Sequence, residues 1–129
     1  MRGKPGEKVV APLSGGELNA AITRELVRIH TAAIGRGPRK SYSFHSGDTL
    51  ITVMLGVLTR AEQTLVAFDE GDAVLAMRRL SQRAMAEEMK TVVARLTERE
   101  VLAFMSDNHL DPDMAVQVFI LAPPAGLSD

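Results

Sequence analysis

Hydrophobic residues recur along this chain with two periods. Leu18, Ile22, Leu26 and Ile29, with Ala21 and Ala33 beside them, fall at three- and four-residue intervals, the stripe of an amphipathic helix. Ser14-Gly15-Gly16-Glu17 ahead of it has the form of a capping box: a hydroxyl for the N3 amide and a glutamate three residues on. Gly35 is placed to end the helix in the left-handed conformation, and Pro38 prevents its resumption. The period then shortens to two. Tyr42 and Phe44 alternate with Ser41 and Ser43, which predicts a strand with one wet face. His45-Ser46-Gly47-Asp48 predicts a turn. Residues 49–57 predict a second strand, with Leu50, Thr52 and Met54 on one side and Ile51, Val53 and Leu55 on the other. Both sides are mostly apolar, as in a central strand covered on both faces.

Thr59-Arg60-Ala61-Glu62 is a second capping box and opens a short helix that runs to about Phe68. Asp69-Glu70-Gly71-Asp72 breaks it, and Asp72 is placed to cap a third helix over residues 73–96. Ala73, Met77, Leu80 and Ala84, continuing into Met85, Met89, Val92 and Leu96, predict its buried stripe. Arg78, Arg79 and Arg83 then fall on a solvated face, where Arg83 can pair with Glu87 four residues on. Residues 100–106 predict a third strand, 107–113 an acidic turn containing Pro112, and 114–121 a fourth strand that is apolar except for Gln117. The order α-β-β-α-α-β-β predicts an α+β fold, a four-stranded antiparallel sheet with helices on one face. Residues 1–13 read as a flexible basic tail, 14–122 as a single domain and 123–129 as a disordered tail. Helices on one face leave the apolar residues on the other uncovered, so a homodimer is expected.

Composition narrows the function classes. The chain has 129 residues, a net charge of −1, 46% hydrophobic and 24% charged residues, and no cysteine. A folded single domain is expected, without disulfides, thiolate metal sites or a cysteine nucleophile. The lack of cysteine makes the cytoplasm the default location. Val9, Val10 and Ala11 before Pro12 are too few for a signal-peptide core, and residues 50–58 are too short to span a bilayer. With no basic excess, no tryptophan, one tyrosine and four phenylalanines, little is available for base stacking, and no nucleic-acid partner is expected.

Candidate chemistry is sparse. Gly35-Arg36-Gly37-Pro38-Arg39-Lys40 could cradle an anion, with Gly37 admitting backbone amides and Arg36 and Arg39 supplying forked donors. The loop follows a helix C-terminus, where anions are disfavoured, so helix termination is the stronger reading. Arg36 is the residue a helix stop does not require. Glu62 and Gln63 could lie at a site near the end of the second strand, but Glu62 also completes the capping box, which is the simpler role. His45 and His109 sit in predicted turns near Asp48, Asp107, Asp111 and Asp113. They could form a metal site only if those turns met, and solvated turn residues are the plainer reading. Met77, Met85 and Met89 could form an adaptable partner groove, though core filling is the commoner use. No catalytic motif is present, and no metal or cofactor is expected.

Three segments together resemble the MpsC-like family, described as part of a sodium-translocating, membrane-potential-generating system. They are Gly16-Glu17-Leu18 opening the first helix, the Gly35-Arg36-Gly37-Pro38 loop, and Gly56-Val57-Leu58-Thr59-Arg60-Ala61-Glu62-Gln63-Thr64-Leu65. A looser match runs over 101–107 and 116–121, so the resemblance covers about residues 15–122. It implies a non-enzymatic accessory or regulatory component of a bacterial membrane ion (sodium or bicarbonate) transport system, with a membrane transporter subunit as partner and a cytoplasmic position at the inner face of the membrane. The alternative is a small-anion-binding or weakly catalytic domain built on the Arg36 loop.

Overall fold

The computed structural model describes residues 13–124. The chain forms α1 (Gly15–Ile34), β1 (Lys40–Ser46), β2 (Thr49–Leu55), α2 (Arg60–Ala67), α3 (Gly71–Thr97), β3 (Val101–His109) and β4 (Met114–Leu121). The expected tails fall mostly at 1–12 and 125–129, outside the described residues.

The four strands make one antiparallel sheet in the order β1-β2-β4-β3. The two hairpins are therefore joined through their second strands, and β2 and β4 are central. The α2–α3 connection lets the second hairpin return antiparallel to β2. α1 lies along the β1 side of one sheet face and α3 along the β3 side. Between helices and sheet sits the core: Ile22, Leu26 and Ile29 from α1, Leu50 and Met54 from β2, Met85, Met89, Val92 and Val93 from α3, and Ala115, Phe119 and Leu121 from β4.

The α1 stripe buries as its spacing predicts, with Ile22 and Leu26 fully enclosed. Gly35 ends α1 at φ 91°, its N–H donating to the Thr31 carbonyl at 2.8 Å. At the other end Ser14 makes no side-chain cap hydrogen bond, and Gly15 begins the helix at φ 56°; the capping box expected there does not form. Asp72 is not a cap either, because α3 starts at Gly71 with Glu70 ahead of it.

The first half of α3 turns a different face inward from the one predicted, while Met85, Met89 and Val92 bury as expected. Val74, Arg78, Met85, Met89, Val92 and Val93 are buried, while Met77 and Leu80 are 48% and 59% exposed. Ala73 and Ala84 are exposed as well. Arg83 makes no ion pair with Glu87, which pairs with Lys90 instead. The acidic segment also splits: 107–109 extend β3, and the turn proper begins after His109.

One polar row crosses the helix-facing side of the sheet. Ser43, Thr52, Gln117 and Ser106 are successive register partners. Thr23 of α1 and Ser43 share a hydrogen bond of 2.6 Å, as do Ser43 and Thr52. The Thr23, Ser43 and Thr52 hydroxyls thus satisfy one another, whereas Gln117 Oε1, buried in the same row, has no hydrogen-bond partner among the described residues.

Candidate functional site

The segments 35–40 and 56–65 meet in space at the end of β2. Arg39 N–H donates to the Leu55 carbonyl at 2.8 Å, and the Arg36 Nη1 donates to the Leu58 carbonyl at 2.8 Å. The Arg39 side chain lies across Gly56, which has φ 70°. A Cβ at that position would sit 2.8 Å from Arg39 Nη1 and 2.9 Å from Arg39 Cβ. Only glycine combines that backbone conformation with that approach. Gly37 is also close-packed, since a Cβ there would come within 3.2 Å of Thr31 Oγ1. Pro38 stands between Gly37 and Arg39 in the same bend.

The chain leaving β2 is held from below by Asp113. Its carbonyl accepts from Gly56 N–H at 2.9 Å, and its carboxylate accepts from Val57 N–H at 2.9 Å and Leu58 N–H at 3.1 Å. The capping box at α2 then forms as predicted. Thr59 Oγ1 accepts from Glu62 N–H at 3.1 Å, and Glu62 Oε1 accepts from Thr59 N–H at 2.9 Å. Gln63 Nε2 donates to the Leu58 carbonyl at 3.1 Å, sharing that acceptor with Arg36.

Glu62 does more than cap. It is 4% exposed and takes a bidentate pair from Arg78, itself 2% exposed, with Nε to Oε2 at 2.7 Å and Nη2 to Oε1 at 2.5 Å. Arg78 Nη2 also donates to the Val57 carbonyl at 2.6 Å, and Nη1 lies 3.4 Å from Nε2 of buried His30. A guanidinium can only donate, so Nε2 accepts and the ring proton sits on Nδ1. Nδ1 has no well-aligned hydrogen-bond partner, although the Arg36 carbonyl is close enough to favour the charged ring slightly. Burial, reinforced by the Arg78 cation, pushes the His30 pKa down to about 4 against the opposing pull of Glu62. For Glu62, burial works to raise the pKa, but the hydrogen bonds from Arg78 and Thr59 outweigh it and hold the carboxyl below its usual range. One arginine thus ties α3 to α2, to the β2–α2 junction and to α1.

Two grooves open near these residues. The smaller, about 210 Å³, is lined by Ala33, Ile34, Ala61, Leu65 and Met77, with Glu62 also contributing. The larger, about 620 Å³, lies between α1 and β1 and is lined by Asn19, Thr23, Arg24, Val27, Ser41 and Ser43 among others. Asn19 Oδ1 is buried and has no hydrogen-bond partner.

His45 and His109 do not come together. The β1–β2 turn and the β3–β4 turn lie at opposite ends of the sheet, as the register requires. His45 faces Arg99, which also pairs with Asp48, while His109 Nδ1 donates to the Pro112 carbonyl at 2.9 Å. Among the described residues no group of three or more His, Asp or Glu is arranged to hold a metal ion.

Three residues of this cluster were not singled out from the sequence. Arg78 was assigned to the wet face, yet its spacing from Val74, Met85, Met89 and Val92 places it in an apolar stripe, which is a legible signal. His30 follows Ile29 on the buried side of α1. Asp113 gave no local sign, because its partners are 56 and 55 residues away in sequence.

The class is thus a three-helix, four-stranded α+β domain whose β2–α2 junction is fastened by a buried Arg–Glu pair. The family description "Na+-translocating membrane potential-generating system (MpsC)" matches residues 14–123, and the chain belongs to that family. No curated protein matches the chain, and no solved structure does. No helix among the described residues is long and apolar enough to cross a membrane.

Proposed function

We propose that the chain is a non-enzymatic accessory component of the membrane system its family is named for, acting by protein contact at the cytoplasmic face of a membrane subunit. The observation that carries this reading is an apolar surface on the outer side of α2 and α3. Phe68 is 77% exposed, Leu80 59%, Met77 48% and Leu65 38%. Ala73, Met77, Leu80 and Ala84 are spaced four, three and four apart, the seam of a helix that packs against another helix. The groove beside Met77 and Leu65 continues that surface. Arg79 and Arg83 flank the stripe and suit an acidic edge on the incoming segment. Its occupant is therefore an amphipathic, acidic-edged helix presented by the membrane subunit.

The side of the sheet that no helix among the described residues covers supports a homodimer as well. The two apolar surfaces lie on separate parts of the molecule and need not compete.

The test is co-purification of the tagged chain with a polytopic membrane protein, identified by mass spectrometry, from detergent-solubilised membranes. Recovery with wild type and loss with Leu80→Glu is expected. Equal recovery with both removes the α3 stripe as the contact, and recovery of no membrane protein removes the accessory role.

A second reading keeps Arg36, Gly37 and Arg39 as an anion site. Arg36 is exposed, and among the described residues its guanidinium makes one hydrogen bond, to the Leu58 carbonyl. A ligand at about 100 times its Kd stabilises by about 2.7 kcal/mol. Thermal shift with phosphate and with bicarbonate, lost in Arg36→Ala, is the expected result on this reading; no shift in wild type removes it.

A further inference from the structure

The register fixes what the uncovered sheet face presents. Residues pointing away from the helices form four rows across β1, β2, β4 and β3. They are Lys40–Leu55–Met114–His109, Tyr42–Val53–Val116–Asp107, Phe44–Ile51–Val118–Met105 and Ser46–Thr49–Ile120–Ala103. The two central columns are aliphatic apart from Met114 and Thr49. Large side chains stand exposed at the edges: Tyr42 at 44%, Phe44 at 47% and Met105 at 54%. Four strands about 4.8 Å apart and some seven residues long span about 450 Å² in projection. That is the size at which a surface apolar patch on a monomer commonly serves an interface.

The edges differ in character. The β1 edge carries a cation and two aromatic rings, Lys40, Tyr42 and Phe44. The β3 edge carries His109, Asp107 and Met105. We infer that the occupant of this face is a second copy of the chain, packed sheet to sheet about a two-fold axis parallel to the strands. This rests on the dimer proposed above and specifies its geometry. Such an axis lays β1 of each copy over β3 of the other and keeps each row over itself. Tyr42 then meets Asp107 of the second copy and Phe44 meets its Met105, while Lys40 lies over its His109, one row from the acid. The acid gains a phenol hydroxyl opposite and an ammonium one row away, and the sulfur gains an aromatic partner. At the centre Val53 faces Val116 and Ile51 faces Val118. Packed sheets cross at about 30°, which shifts the edge rows by only about half a row and keeps Tyr42 beside the acid.

The other face-to-face arrangement, with the axis perpendicular to the strands, reverses the rows. It sets Asp107 against Met105 and Lys40 against Ser46, leaving the carboxylate against a thioether. A hydroxyl opposite Asp107, with the Lys40 ammonium one row away, therefore selects the first. The interface is small, about 900 Å² for both copies by the same projection, against about 1,600 Å² for a standard one. Reversible dissociation on dilution is expected.

The test is a charge swap read by analytical ultracentrifugation across the micromolar range, with circular dichroism confirming each fold. Asp107→Lys alone and Lys40→Asp alone each weaken the dimer at least about tenfold, since the two-fold axis counts every clash twice. The double variant restores it toward wild type. Phe44→Cys with Met105→Cys, in a chain otherwise free of cysteine, gives a dimer cross-linked by a short bis-maleimide. A wild type that stays monomeric throughout overturns both the dimer and its geometry. A dimer that the single swaps leave unchanged, or that Asp107→Lys weakens but the double variant does not rescue, overturns the geometry alone.

Discussion

Arg78 puts a full positive charge at a position where α3 otherwise presents aliphatic side chains to the interior. Burial of that charge is tolerable because Glu62 supplies both carboxylate oxygens and the Val57 carbonyl takes a further N–H. Breaking the pair from one side therefore costs more than the pair itself contributes. Glu62→Ala is expected to destabilise the chain by about 3–5 kcal/mol in urea unfolding, with the double variant Glu62→Leu/Arg78→Met recovering most of the loss. His30 adds a pH dependence. The folded ring has a pKa of about 4 against 6.5 for the free group. Between those values the unfolded chain binds a proton that the folded chain refuses, so stability is complete above about pH 6.5 and falls as the pH drops toward 4. The loss amounts to about 3 kcal/mol. Glu62, held below its usual value, acts in the same direction at lower pH, because its contribution disappears as acid protonates the folded carboxylate. His30→Leu should flatten stability measured between pH 6.5 and 4 and leave the steeper loss at lower pH. An unchanged slope would show that His30 is not the group responsible.

At the scale of elements, the parts with local causes were legible in sequence. The α1 stripe, the Gly35 stop, the two hairpins and the Thr59–Glu62 capping box all follow from spacing and residue type within a few positions. What escaped depends on distant partners. β4 lies beside β2 because the α2–α3 connection returns the chain there, and nothing in Met114–Leu121 names its neighbour. The first half of α3 is one residue out of phase with the predicted stripe, because Arg78, which its charge assigns to the surface, is the polar member of the buried stripe; Met85, Met89 and Val92 in the second half follow the prediction. The Ser14 box failed because Gly15 enters the helix with a positive φ. Gly35-Arg36-Gly37-Pro38 was legible as a helix stop, but its docking onto Gly56 and Leu58 was not, since that requires the end of β2 to lie beside it. The β2–α2 junction makes this testable. Gly56→Ala meets Arg39 and imposes a side chain at φ 70°, so it should cost about 1–3 kcal/mol. Arg39→Ala on the same background removes the contact with Nη1 but keeps the Cβ contact and the backbone conformation, and denaturant melts should show partial recovery only.

For the molecule as a whole, the chain presents two apolar surfaces of different shape. One is the sheet face, with Lys40 on its β1 edge and Asp107 on its β3 edge. The other is the α2–α3 stripe, with a helical seam and a basic flank. A component that works by contact needs such surfaces more than it needs a reactive cleft. On this account the sheet face joins two copies and the stripe joins the pair to a membrane subunit. The most direct measurement is a parallel co-purification from solubilised membranes with wild type, Leu80→Glu and Val116→Glu, each checked for dimerisation by ultracentrifugation. The account predicts that Leu80→Glu remains dimeric and loses the membrane protein, whereas Val116→Glu is monomeric with its α3 stripe intact. If Leu80→Glu stays folded and still recovers the same membrane protein at the wild-type level, contact through the stripe is contradicted.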